Sequence, residues 1–389
     1  MNEPIVRIAA RGDGVTPSGR HVAWGVPGDV LLEDGALASG PHHQEPPCRH
    51  FPECGGCQLQ HADDEAYRGY LVSRIEGALA QHGLTAEIRP PHLSPPNSRR
   101  RATLRALKVG QAAVIGFNAA KSHRIVDMRE CHILRPELFA LVGPLRKLLM
   151  SFLIPKAIGE IRMTLVDEGA DVLLTAIDPQ GYDALESLSS FGMENGLARL
   201  AIDRGLGPET HFEPHPTTVT LSGKTVLFPT GGFLQATVDG EETLVASVRE
   251  AVGDGRPIAD LFAGLGTFAL AIGADYAAEA SRDVAAALKR AAPAMAVEHR
   301  DLYRRPLDRD ELGKFEAVIL DPPRAGAAEQ TAQLAASNVQ RIAYVSCNPA
   351  TFARDAKALA DGGYALSWVR PVGQFRWSTH IELAASFSR

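Results

Sequence analysis

RPIADLFAGLGTFALAI, residues 256–272, reads as a short apolar strand, a Gly turn and a helix. Upstream lies a helical pattern over 239–252. Downstream, ADYAAEAS (274–281), a helix at 282–292, VEHRDLY (297–303), FEAVILDPPRAG (315–326) and RIAYVSCNPATFARDAKALADGG (341–363) continue the alternation. Buried apolar strands alternating with helices predict an α/β domain over 236–389 with a doubly wound, mainly parallel, Rossmann-like sheet. Ligands of such sheets sit at the carboxyl ends of the strands. The first strand ends in Asp260-Leu261-Phe262-Ala263-Gly264-Leu265-Gly266-Thr267, whose Gly residues allow a tight turn and a close approach of backbone to ligand. Glu279 closes the second strand, where a carboxylate can accept hydrogen bonds from both hydroxyls of a ribose. Asp301 closes the third and is placed for an adenine amino group; Asp321-Pro322-Pro323-Arg324 closes the fourth, and Ser346-Cys347-Asn348-Pro349 the fifth. A Gly-x-Gly turn with a downstream acid suits NAD as well as S-adenosylmethionine. The third Gly of the dinucleotide fingerprint is missing, and Asp-Pro-Pro tips the reading towards methyl transfer.

The rest of the chain is organised differently. Residues 1–40 predict a short β module, too small for a complete five-stranded barrel. Residues 41–89 hold a loop rich in Pro, His and Cys, then a helix over 62–82 opened by acids and stopped at Gly83. Residues 90–235 predict a β-rich central domain, with strand patterns in 101–130, 158–178 and 195–229 and a helix over 136–150.

The 389 residues, 45% apolar and 22% charged, exclude a collagen-like, coiled-coil or disordered chain. No apolar run approaches the ~20 residues of a membrane span. The opening MNEPIVRIAARGDG lacks a signal-peptide layout, so a cytoplasmic setting is expected; a monomer is expected separately. Net charge is −6, yet Arg89–Arg135 carries ten Lys/Arg against two acids, a local balance of +8 suited to a phosphate backbone or, equally, to a solvated basic face. Five Cys is a small, odd count that argues against a disulfide framework.

Those cysteines divide four and one. Cys347 follows a buried strand and precedes a helix, a setting expected to favour its thiolate and so a nucleophile; an inert buried thiol is the plainer reading. Glu382, inside the alternating THIELAASF, is either an outward-facing strand residue or a carboxylate buried for a purpose. Cys48-x5-Cys54-x2-Cys57 with distant Cys131 supplies four sulfurs, which zinc and a [4Fe–4S] cluster both accept.

DLFAGLGTF (260–268), LDPPRAGA (320–327), YVSCNPATFARD (344–355) and HIEL (380–383) together resemble the RNA uracil-5-methyltransferase family, over nearly the whole chain from about residue 45. The resemblance implies Cys347 as nucleophile, Glu382 as general base, and Gln235, Phe262, Gly264, Thr267, Glu279, Asp301 and Asp321 around S-adenosylmethionine. CGGCQLQH (54–61) and IVDMRECHIL (125–134) resemble the iron–sulfur branch of that family, implying a structural [4Fe–4S] cluster on Cys48, Cys54, Cys57 and Cys131. That branch suggests 23S ribosomal RNA as the substrate, with transfer RNA second. The rivals are an amino-methyltransferase working through Asp321-Pro322-Pro323 and a non-catalytic RNA-binding protein. The chain departs from the family pattern in its short N-terminal module and in a curtailed segment between Thr267 and Glu279. Aromatic residues are 6% of the chain; Phe117, Phe233, Phe375 and Trp377 are candidates for stacking on bases, with buried packing expected of each.

Overall fold

The structure, a computed structural model, describes residues 2–154 and 156–389. It divides into two compact units, one of residues 1–46, 58–94 and 239–389, the other of 47–57 and 95–238.

The first unit carries the α/β sheet. Its strands are β1 (Ile258–Leu261), β2 (Tyr276–Glu279), β3 (Ala296–His299), β4 (Ala317–Leu320), β5 (Arg341–Ser346), β6 (Ala365–Gly373) and β7 (Glu382–Ser388). Its helices within that span are α1 (Thr267–Ile272), α2 (Arg282–Ala291), α3 (Arg309–Leu312), α4 (Ala328–Ala335) and α5 (Pro349–Asp361). The strand order is β3-β2-β1-β4-β5-β7-β6, parallel up to β5; β7 then runs antiparallel between β5 and β6. Two short segments, Glu87–Ile88 and His92–Leu93, extend the β6 edge.

The elements follow from the sequence. The apolar run Ala317–Leu320 is buried throughout because helices cover both faces. On one face, Tyr67, Leu71, Ile75 and Leu79 of the helix Asp64–Ala80 pack with Phe352 and Leu359 of α5. The Asp63 side chain caps that helix by accepting the Ala66 N–H. On the other face, Leu244, Val248 and Val252 join Phe268, Leu288 and Ile319. Each such fully buried side chain contributes about 1.5–3 kcal/mol. As expected, α1 is short: Gly273, in the left-handed region at φ 70°, ends it after six residues. The N-terminal segment forms two three-stranded sheets of two-residue strands between Glu3 and Ala38.

The second unit holds a six-stranded sheet in the order 112–116, 101–109, 158–166, 169–175, 197–203, 208–212. The sequence predicted these strands but not the helix Tyr182–Glu194, which crosses over between the parallel strands Gly169–Thr175 and Leu197–Asp203. The central domain is thus α/β in part, not only β. The helix at 136–150 is broken into Pro136–Ala140 and Val142–Leu149. Among the described residues, no helix is long and apolar enough to cross a membrane.

Candidate active site

The site lies at the carboxyl ends of the parallel strands of the first unit. Strand β1 hands over to a turn in which Phe262 (φ 63°), Gly264 (φ 56°) and Gly266 (φ 90°) all take left-handed backbone. A Phe held in that region is strained, and its ring packs against the edge of the sheet's hydrophobic core. The Gly264 N–H donates to Glu279 Oε2 at 2.9 Å, and the Ser281 N–H to Glu279 Oε1 at 2.7 Å. Glu279 therefore sits locked beside the turn at the end of β2, despite the shortened α1. Thr267 opens α1. Asp301 lies two residues past β3, where Oδ1 accepts the Tyr303 N–H at 3.0 Å. Asp321 immediately follows β4, with its N–H bonded to the Leu261 carbonyl. Phe262, Gly264, Thr267, Glu279, Asp301 and Asp321 thus share one rim of one sheet. Gln235 belongs to the other unit, buried, with its carbonyl accepting Arg100 Nε at 3.0 Å.

Cys347 stands one residue past β5. Ser346 pairs with Leu383 in the antiparallel register, which brings Glu382 opposite Cys347. Glu382 is only 4% exposed, so it faces inward, against the commoner expectation for an alternating strand. Buried Gln374, at the end of β6, donates from Nε2 to Glu382 Oε2 at 3.0 Å. The sequence did not single out Gln374; its signal is its place one residue past a strand that pairs with the Glu382 strand.

The electrostatics correct one expectation. The helix start was expected to favour a thiolate at Cys347. Burial instead pushes its thiol up to about 11, and Glu382 and Asp321 push the same way, while Arg324 offsets them in part. Cys347 lies outside α5: Asn348 is the cap and accepts the Ala350 N–H. Burial also raises Asp321 to about 7. Asp260, fully buried on the same sheet face, is held well above the carboxylate range by burial and then by Asp321; the Ala269 N–H only partly offsets this. Neither Asp260 oxygen meets a hydrogen-bond partner in good geometry. Sequence reasoning gave Asp260 no role, although an acid inside an otherwise apolar strand was the signal.

The four other cysteines all fall in the second unit, half-buried and outside any disulfide. Cys48, Cys54 and Cys131 lie within electrostatic reach of one another, and Cys57 and Cys131 both reach Arg99. Burial lifts the Cys54 thiol to about 11. The loop is tied to the 117–131 segment by Arg49 to Glu130, by the Arg129 N–H to His50 Nε2, and by a bridge between Cys54 and Ala119. By chemical type alone, these four thiols are the donors a four-sulfur metal group takes. Among the described residues, no three His, Cys, Asp or Glu are close enough to hold a single metal ion.

The basic stretch is less positive in place than in sequence. Arg105, Arg124, Arg129 and Arg135 pair with Glu160, Glu53, Asp127 and Glu137. Of the candidate stacking rings, Trp377 is buried as expected, whereas Phe233 is 59% exposed with the Arg101 guanidinium 4.2 Å over it.

A sheet of this order, with a Gly turn and a rim of carboxylates at its strand ends, defines an α/β enzyme that takes a nucleoside-bearing cofactor there. The family described as tRNA (Uracil-5-)-methyltransferase matches residues 292–389. An uncharacterized RNA methyltransferase of Zymomonas mobilis is 52% identical over 99% of both chains. The 23S rRNA (uracil(1939)-C(5))-methyltransferase RlmD of Photorhabdus laumondii is 32% identical over 91% of this chain and 84% of its own. The structure of the Pyrococcus abyssi tRNA (uracil-54, C5)-methyltransferase with S-adenosyl-L-homocysteine superposes with a TM-score of 0.72 at 22% identity, covering 100% of this chain and 99% of that one. The chain belongs to the RNA uracil-5-methyltransferase family and is an S-adenosylmethionine-dependent enzyme of that class.

Proposed function

We propose that the enzyme methylates C5 of a uridine in 23S ribosomal RNA through a covalent adduct between Cys347 and C6. The observation that carries the chemistry is the register setting buried Glu382 opposite Cys347. Uracil C5 is a weak nucleophile. The Cys347 thiol gives its proton to water, and addition of the sulfur to C6 makes an enolate with electron density on C5. That carbon takes the methyl group from the sulfonium, releasing S-adenosylhomocysteine. Glu382 then removes the C5 proton, the C5–C6 double bond re-forms, and the S–C6 bond breaks. The base must leave its stack to reach these groups.

In this reading, Glu279 receives the ribose, Asp301 the adenine amino group, and Phe262, Gly264, Thr267 and Asp321 complete the cofactor site. Residues 90–235, with their basic stretch, bind the RNA. The choice of 23S ribosomal RNA rests on the 32% identity to RlmD. Cys48, Cys54, Cys57 and Cys131 hold a [4Fe–4S] cluster that crosslinks the loop to the basic segment and takes no part in methyl transfer, which needs no redox step.

The deciding experiment maps 5-methyluridine in ribosomal and transfer RNA from cells with and without the gene. A loss confined to transfer RNA would overturn the substrate assignment. Cys347→Ala should abolish methyl transfer while sparing S-adenosylhomocysteine binding, and Glu382→Gln should accumulate a protein–RNA adduct on a denaturing gel. Unchanged turnover in the first variant would sink the adduct mechanism. Iron and acid-labile sulfide should be found together; one zinc per chain without iron would overturn the cluster.

A further inference from the structure

We propose that Tyr303 is a positioning residue that links occupancy of the cofactor rim to the order of loop 321–327, which carries Asp321 and Arg324 beside Cys347. The inference rests on the cofactor assignment of Phe262 and Asp301 above.

Tyr303 is set by the rim itself. Asp301 Oδ1 accepts both the Tyr303 N–H at 3.0 Å and the Arg304 N–H at 3.4 Å, folding the chain so that the phenol ring tilts against Phe262 with centroids 5.6 Å apart. The phenol O–H then donates to the Gly326 carbonyl at 2.9 Å. One side chain therefore touches a cofactor-rim ring at its body and the target-side loop at its tip.

The loop has two kinds of holder. Helix α5, which follows the nucleophile, grips it directly. Asn348 Nδ2 and the Thr351 hydroxyl donate to the Arg324 carbonyl at 3.0 and 3.2 Å, and Arg354 Nη2 donates to the Ala325 carbonyl at 3.0 Å. Buried Asp355 accepts the Ala327 N–H at 2.6 Å and the Tyr344 O–H at 2.6 Å. Of the three successive carbonyls, the third, Gly326, is held by Tyr303 instead. Gly326 is in left-handed backbone at φ 79°, and any Cβ there would lie 2.6 Å from Arg354 Nη2 and from Asp355 Oδ2. The loop is thus pressed onto α5 at Gly326, and Tyr303 closes it from the cofactor side. Tyr303 is 39% exposed and anchored through Phe262 and Asp301, so a ligand that engages those two residues restricts it. This gives the Arg354-Asp355 pair of the YVSCNPATFARD motif a purpose: it is the fixed half of a clamp whose other half answers to the cofactor.

The test is hydrogen exchange of the peptide covering 321–327 in the full-length protein, with and without S-adenosylhomocysteine. Tyr303→Phe keeps the ring and deletes one hydrogen bond. In the wild type the ligand should slow exchange at 324–327 by about fivefold or more. In Tyr303→Phe the ligand should bind within about threefold of wild type by calorimetry, since the phenol tip is not part of the cofactor rim, while the slowing falls below about twofold. A fixed structural staple would instead raise exchange equally with and without ligand. Equal protection in both proteins, or none in the wild type, overturns the proposal. Full ligand affinity in Phe262→Ala and Asp301→Ala would refute the cofactor assignment, and the proposal with it, by a separate readout.

Discussion

Asp321→Asn should make the protein more stable at alkaline pH while destroying its activity. Burial raises the Asp321 carboxyl to about 7. A carboxyl raised in the folded state favours folding fully only below its unfolded value near 4, and that contribution is lost as pH rises through 7. The span from about 4 to about 7 corresponds to about 4 kcal/mol of stability lost by pH 8. Asparagine has nearly the same shape and cannot ionise. It also lowers the cost of the fully buried Asp260, whose proton Asp321 helps to hold. Against this stands about 1–3 kcal/mol if the new amide lacks partners, which leaves a net gain of about 1–3 kcal/mol. At about 2–4 °C per kcal/mol for a domain of this size, the variant should melt several degrees above wild type at pH 8. At pH 4.5 the difference should vanish or reverse, because wild-type Asp321 is then neutral. Scanning calorimetry at the two pH values reads the effect. A melting difference that is the same at both would show that Asp321 is not an ionising burial cost, and the reasoning would fail.

With its thiol at about 11, Cys347 should be about one part in ten thousand thiolate at pH 7, and alkylation of its peptide by iodoacetamide should rise about tenfold per pH unit from 7 to 10; a plateau by pH 8 would contradict this. Arg199→Leu should cost about 3–5 kcal/mol in urea unfolding, because it leaves Asp171, bonded to Arg199 Nε at 2.7 Å, buried and unpaired. Gly266→Ala should weaken S-adenosylhomocysteine binding and lower the melting temperature, since a Cβ at φ 90° would lie 2.4 Å from Leu288 Cδ1; unchanged binding would mean that the turn is not part of the cofactor site.

The sheet was readable because its signals are local. Four-residue apolar strands such as Ala317–Leu320, each followed by a polar or Gly-bearing turn, announce both the strand and its functional end. The pairing of Cys347 with Glu382 was reachable only through resemblance, since 35 residues separate them in sequence and the insertion of β7 beside β5 brings them together. Helix Tyr182–Glu194 escaped notice for a physical reason. It starts at Gly181 with no side-chain cap, it carries three Ser and a Gly, and Tyr182, Leu185 and Met193 are exposed, so its apolar period is blurred. The exposure of Phe233 likewise depends on the 229–237 loop and on Arg101, neither of which a composition count can reveal.

The direction of the Cys347 shift was illegible for a deeper reason, and it bears on how the reaction would be controlled. A helix start is a local feature, worth a fraction of a kcal/mol to about 2 kcal/mol. The burial of Cys347 and the carboxyls of Asp321 and Glu382 come from three separate strands, and together they outweigh it. A thiol kept protonated by burial, with two neighbouring acids pushing the same way, is a poor nucleophile towards solvent oxidants and stray electrophiles. Within the proposed mechanism, the sulfonium of the cofactor is the missing positive charge. Its arrival would favour thiolate at Cys347, because that group is held neutral mainly by burial. The nucleophile would then be formed only where a methyl donor already sits, so that addition to C6 and transfer to C5 are coupled by electrostatics as well as by geometry. The consequence is measurable in the alkylation experiment: S-adenosylmethionine, which is charged at sulfur, should raise the intrinsic reactivity of Cys347 relative to neutral-sulfur S-adenosylhomocysteine of the same shape. Equal reactivity with the two ligands would leave the thiol's activation to the RNA alone.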